Sequence, residues 1–257
     1  MEIHPTALVD SKARLGAGVR VGAFAVIGPE VVLGEGVEVA HHASITGRTT
    51  IGARSRVFPF AALGGEPQDK GFAGDSTELV VGSDNVIREH VTIHVGTPKG
   101  GGCTRIGDDN LIMNSVHVAH DCRVGSHCIL AGYTGLAGHA VVEDFAVLGG
   151  YVGIHQFARV GESVMCAANT MVSKDCAPFA LIAGDRARLV GVNVVGLRRR
   201  SFSAETTKQI RQAYHVLFFS KLRFEVALAR VREGAAGSPE VERLVAFLEK
   251  SERGITR

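Results

Sequence analysis

Residues 19–40 read VRVGAFAVIGPEVVLGEGVEVA. Val21, Ile27, Leu33 and Val39 stand six residues apart, and Val19, Ala25, Val31 and Val37 form a second series of the same period. Neither the helical period of 3.6 nor the strand period of two yields six-residue spacing over such a length, so the unit is a repeat. Stepping backward, the bulky series reaches Leu15, Val9 and Ile3; forward it runs through Ile45, Ile51, Val57 and Leu63. It resumes at Val81, Ile87 and Ile93, slips by one residue, and holds from Ile106 at every sixth position to Val172. A small or β-branched residue follows four places later almost throughout, and glycine often stands one place later, as at 16, 22, 28, 34, 52, 82, 107, 125 and 161. This is the pattern of a hexapeptide-repeat parallel β-helix. Three short strands make one coil of 18 residues, and coils stack at roughly 4.8 Å.

The composition agrees. The 257 residues include 32 Gly, no Trp and only 6% aromatics, so the core must be built from small and branched aliphatics. A formal net charge of +2 demands no nucleic acid partner. Cys122, Cys128 and Cys176 fall at the small inward position and Cys166 at the bulky one, so they read as core thiols rather than disulfide or zinc-ribbon cysteines. Cys103 has no assigned role. The first residues, MEIHPTALVD, lack the features of a signal peptide, and no apolar run is long enough for a membrane span. The expectation is a soluble, cytoplasmic protein.

Two stretches break the repeat, 64–80 (GGEPQDKGFAGDSTELV) and 94–105 (HVGTPKGGGCTR). Both are expected to leave the stack as loops, the usual carriers of function on such a scaffold. Past Phe202 the period changes. Ser203 is a good N-cap for a helical stretch with Ile210, Ala213, Tyr214, Leu217 and Phe218 on one face, and Ser238-Pro239 begins another. The expected division is 1–190 β-helix and 191–257 helical domain. Between Arg186 and Arg223 lie nine basic residues and one acid, Glu205. That imbalance suggests a docking surface for something anionic, a phosphate-bearing ligand or an acidic protein.

Residues 115–139 carry four histidines, His117, His120, His127 and His139. In an 18-residue coil His120 stacks with Gly138 and Gln156, while His139 and His155 lie one residue from that column and His117 three before it. A lone histidine on a repeat protein is usually structural; this convergence points to a site. Imidazole can take a proton from a hydroxyl at neutral pH. Asp121 could orient His120, and the N–H of Gly138 could meet a developing oxyanion. Base and oxyanion donor together suit direct acyl transfer.

The motifs HVAHDC (117–122), GLAGH (135–139), IHQFARVG (154–161), IREHVTIHVGTPKGGG (87–102), GVNVVGLRRR (191–200) and the closing RGITR resemble the UDP-N-acetylglucosamine 3-O-acyltransferases of lipid A biosynthesis, over nearly the whole chain. The resemblance implies a left-handed coil, although general crossover rules favour the right hand. It implies a homotrimer and no cofactor. It implies transfer of an (R)-3-hydroxyacyl group from acyl carrier protein to the sugar 3-hydroxyl, with His120 as base, Asp121 orienting it and Gly138 holding the oxyanion. Asp69, His117, His139, His155 and Gln156 would bind the sugar, Asn193, Arg199 and Arg200 the uridine and phosphates, and Ala168 with Met165 would limit acyl length. Three positions depart from the family pattern. Its loop reads QDLKY, but Gly71 stands in the lysine's place, one step after Lys70; Val195 replaces an acidic residue; and Ala168 replaces a glycine. Other readings are the same transfer to a 3-amino sugar, a related hexapeptide N-acyltransferase or CoA-dependent acetyltransferase, a zinc carbonic anhydrase using His117, His120 and His139, and a non-catalytic β-helix.

Overall fold

The computed structural model describes residues 1–235 and 237–257. Most strands are only two residues long, an outward residue followed by an inward one: Arg20–Val21, Val26–Ile27, Val32–Leu33 and so on. Each pairs in parallel with the strand one coil later, so Glu2–Ile3 meets Arg20–Val21, which meets Glu38–Val39. Three sheets of 11, 9 and 8 strands result, each taking every third strand of the coils, with the final hairpin added to the largest. The bulky hexad residues and their small partners fill the interior. Val21, Ile27, Leu33, Ile45, Ile51, Ile87, Ile112 and Leu130 are buried, as are Cys122, Cys128, Cys166 and Cys176. All five cysteines are free thiols.

Two-residue strands leave a sharp corner every six residues, and the corner residue adopts a left-handed conformation. Phe24, Phe60, Tyr133, Tyr151 and Phe157 do so with φ of 57–64°, at a cost of roughly 1 kcal/mol or more each. Neighbouring corners recover a similar amount by ring stacking, worth about 0.5–1.5 kcal/mol a pair. Phe60 lies 5.2 Å from His90 and nearly parallel to it, Tyr133 lies 4.9 Å from Tyr151, and His139 lies 4.4 Å from Phe157.

The two interruptions are smaller than the sequence suggested. Their ends continue the sheet, because Glu78–Val81 lies between Arg48–Ile51 and Cys103–Ile106 in a four-residue ladder. Leu79 and Thr104 turn inward there and are fully buried, as is Thr49 on the neighbouring strand. The first excursion is therefore confined to residues 66–77, and the second to a short stretch around the one-turn 3₁₀ helix Pro98–Gly100.

The last coil ends in an antiparallel hairpin, Ala180–Ala183 with Arg188–Val192, from which the helices follow: α1 (Val194–Arg199), α2 (Ala204–Tyr214), α3 (Phe224–Glu233) and α4 (Pro239–Glu249). Ser203 caps α2 as expected, its hydroxyl accepting from the Thr206 N–H at 3.0 Å. The helix α1 was not anticipated; the Asn193 side chain caps it. The apolar core continues from the β-helix into the helices without a break. The chain end returns to the coil, where Thr256 donates to the Asp175 carbonyl at 2.8 Å.

Candidate active site

The corner that carries Asp121, His139 and Phe157, one coil apart, builds the site. Asp121 has φ +60°, which turns its carboxylate back past its own backbone towards the preceding residue. Its Oδ2 accepts from His120 Nδ1 at 2.8 Å. The carboxylate is wholly buried and fully engaged: Thr97 donates its N–H to Oδ1 at 2.9 Å and its hydroxyl to Oδ2 at 2.7 Å. The Asp121 N–H in turn donates to Thr104 Oγ1. These donors offset the cost of burying the carboxylate. It fixes His120 with the proton on Nδ1, which leaves Nε2 as the basic nitrogen.

Gly138 sits directly above the His120 ring. A Cβ at this position would lie 2.6 Å from Cε1 and 2.8 Å from Nε2, so only glycine leaves the ring where it stands. Its N–H makes no hydrogen bond with the described residues. His139 stands edge-on to His120, 5.2 Å between centroids, with Nε2 3.8 Å from Asp121 Oδ2. His117 hydrogen-bonds Thr92 Oγ1 at 2.8 Å and stands edge-on to the buried His94. Burial pushes the pKa values of His139, His117 and His94 down, so the imidazoles around the base stay neutral. On His139 that effect is partly opposed by the charges of Asp121 and Asp69.

A groove of about 600 Å³ opens on this corner, lined by Gln68, His117, His120, Gly138, His155 and Gln156 among others. Its floor is a column of the nine-stranded sheet in which His117 is followed by Gly135, Gly153 and Met171. The two glycines leave a trench, and Met171 closes its end. Asp69 lies at the rim, where its Oδ1 accepts from the Gly71 N–H.

The structure thus brings together His117, His120, Asp121, Gly138, His139, His155 and Gln156, with Asp69 beside them. It does not bring in the others. Asn193 is occupied by the α1 cap and by the Ser163 carbonyl. Arg200 is paired with Glu162 at 2.6 Å and lies over Phe145. Arg199 is exposed on α1, and Ala168 and Met165 lie on the coil outside this groove. His127 belongs to another corner, bonded to Asp109. Sequence reasoning missed Thr97, Thr104 and His94. Among the described residues, the three groups close enough to share a cation are His120, Asp121 and His139, not the trio with His117. Three hydrogen bonds already fill the Asp121 oxygens, which suits an orienting carboxylate better than a ligand.

Residues 175–256 match the family model described as UDP-N-acetylglucosamine O-acyltransferase, domain 2. Residues 12–47 and 103–138 match the bacterial transferase hexapeptide model. The acyl-[acyl-carrier-protein]–UDP-N-acetylglucosamine O-acyltransferase of Myxococcus xanthus is 47% identical over 256 residues, 100% of this chain and 99% of the relative. This chain belongs to that acyltransferase family. The enzyme of the same name from Herminiimonas arsenicoxydans is 44% identical over 99% of both chains. Solved members superpose closely. The Francisella novicida UDP-N-acetylglucosamine acyltransferase has a TM-score of 0.97 at 38% identity, covering 99% of this chain and 94% of that one. The Moraxella catarrhalis structure has 0.97 at 36% identity, covering 100% of each. The coil shares the family's left hand.

Proposed function

We propose that this acyltransferase moves an (R)-3-hydroxyacyl group from acyl carrier protein to the 3-hydroxyl of UDP-N-acetylglucosamine. His120 Nε2 takes the hydroxyl proton as the oxygen attacks the thioester carbonyl. Asp121 stabilises the imidazolium that forms, and the Gly138 N–H donates to the developing oxyanion. Collapse of the tetrahedral intermediate expels the carrier thiol, which recovers the proton from His120. The observation that carries this reading is the His120–Asp121–Thr97 chain under Gly138: a fixed base beside an unpartnered N–H and an open groove. Asp69, His139, His155 and Gln156 supply hydrogen-bonding groups for the sugar.

The carrier protein is acidic in this reading and docks on the basic segment. Arg198, Lys208 and Arg211 rim a cavity of about 1280 Å³ whose walls include Val190, Val194 and Phe219, an apolar floor with a cationic edge. A homotrimer would place Asn193 and Arg199 of one protomer at a groove of the next. Among the described residues no helix is long and apolar enough to cross a membrane, in keeping with a cytoplasmic enzyme.

The test is product formation from UDP-N-acetylglucosamine and a graded series of 3-hydroxyacyl carrier proteins. His120→Ala should lose roughly 10²–10⁴ in kcat. Turnover only with the 3-amino sugar nucleotide would reassign the acceptor; no turnover with either would overturn acyl transfer.

A further inference from the structure

We propose that Lys99 binds the diphosphate of the nucleotide-sugar acceptor, supplying from the Pro98–Gly100 turn a cation that the groove lining of its own protomer lacks. The inference rests on the acceptor being a nucleotide diphosphate sugar, as proposed above.

Such an acceptor carries an ionised diphosphate, and sites for that group are built around cations. None of the residues lining the groove around His120 is a lysine or arginine. Arg200 is held away from the groove, against Phe145 and on Glu162, a carboxylate it shares with Arg243. Lys99 is different: it is exposed and forms no ion pair with the described residues.

Its backbone is placed by the catalytic carboxylate itself. Thr97 donates twice to Asp121 and caps the turn by accepting from the Gly100 N–H. Gly100 packs so closely on the Asp121 carboxylate that a Cβ would meet Oδ2 at 2.2 Å. The turn is thus clamped against Asp121 on both sides of Lys99, and that residue's stem must leave on the outer side. There its Nζ comes within 3.9 Å of the point where a Gly71 Cβ would stand, and Asp69 Oδ1 lies 3.4 Å from the same point. Ammonium and carboxylate therefore flank one spot on the rim of the groove. The carboxylate can accept from sugar hydroxyls while the ammonium donates to phosphate oxygens.

The experiment compares wild type with Lys99→Ala, Lys99→Arg, Lys70→Ala and the double variant Lys99→Ala/Gly71→Lys. Steady-state kinetics would be measured with the nucleotide sugar varied, alongside calorimetric binding of UDP alone. Loss of a charge-assisted contact made equally in ground and transition states raises KM without lowering kcat. Lys99→Ala should raise KM roughly ten- to a hundredfold with kcat within about threefold, and weaken UDP binding in parallel. Lys99→Arg should recover most of the loss. Contacts at a Gly71 Cβ are ordinary van der Waals distances, so Gly71→Lys should fold and restore the KM of the Lys99→Ala chain. A KM for Lys99→Ala within about twofold of wild type overturns the proposal, as does a Lys70→Ala effect larger than that of Lys99→Ala. If wild type shows no turnover but UDP binding still depends on Lys99, the acceptor reading fails and the diphosphate site stands.

Discussion

Replacing Gly138 by alanine isolates the placement of the base from its chemistry. The new methyl carbon would lie 2.6 Å from His120 Cε1, 2.8 Å from Nε2 and 3.2 Å from Nδ1. Unstrained carbon contacts need about 3.5–4.0 Å, so the ring must retreat by about 1 Å. It cannot retreat and keep its 2.8 Å bond to Asp121 Oδ2, because Thr97 holds that carboxylate from behind. A displacement of about 1 Å in a reacting group costs on the order of 10²-fold in rate. The methyl also crowds the space an oxyanion would need beside the Gly138 N–H. Gly138→Ala is therefore expected to lose at least about 10² in kcat and to approach His120→Ala. Stability should fall only by about 1–2 kcal/mol, since His120 is at the groove edge and has room to swing. The assay is kcat with saturating nucleotide sugar, paired with a thermal melt. A folded Gly138→Ala enzyme within about threefold of wild-type kcat would refute the claim that His120 must stand where it does.

Three further outcomes follow from the same geometry. Thr97→Val removes one hydrogen bond to a fully buried carboxylate, so it should destabilise by about 1.5–3 kcal/mol and lower kcat; equal melting temperatures would show that Thr97 does not hold Asp121. His94 is buried with Nδ1 unpartnered, and burial, then the charges of His117 and His120, lower its pKa from 6.5. The unfolded chain then binds more protons below pH 6.5, so stability is full above that value and is lost as pH falls through the folded pKa. His94→Phe should flatten the decline in stability between neutral pH and about pH 5; an unchanged slope would assign the decline elsewhere. Burial pushes the Cys122 and Cys128 thiols up to about 12, and Cys166 is raised as well. A thiol reagent should therefore modify at most Cys103 in the folded protein and all five cysteines after denaturation, which mass spectrometry reads directly.

The parts of the molecule that were legible in the sequence are those that repeat. A hexad with one bulky and one small inward residue can satisfy its backbone in only one way, and repetition removes the ambiguity that any single two-residue strand would carry. The 18-residue coil then made the alignment of His120 with Gly138 and Gln156 arithmetic. A residue that acts through something other than the repeat leaves no such signal in the sequence. The corners are one example: aromatic residues in a left-handed conformation contradict local propensity, and only stacking on the next coil makes them tolerable. Arg200 and Asn193 are another, since a basic residue looks the same in sequence whether it meets a ligand or an internal carboxylate such as Glu162.

Thr97 shows the limit most clearly. It lies 24 residues from Asp121, on a lengthened coil in which Thr92 pairs with His117, so the 18-residue register does not bring it near. The extra residues of that coil carry Thr97 and Gly100 over the carboxylate. An uncapped Asp121 would be a buried charge with one partner, costly enough to disfavour burial. The irregularity in the repeat therefore supplies the donors for a carboxylate buried in a scaffold of mostly apolar interior. It also ties the position of the Pro98–Gly100 turn, and of Lys99 on it, to the residue that orients the base. A substitution that loosens the turn should accordingly disturb acceptor affinity and catalysis together, whereas one confined to the Lys99 side chain should change affinity alone.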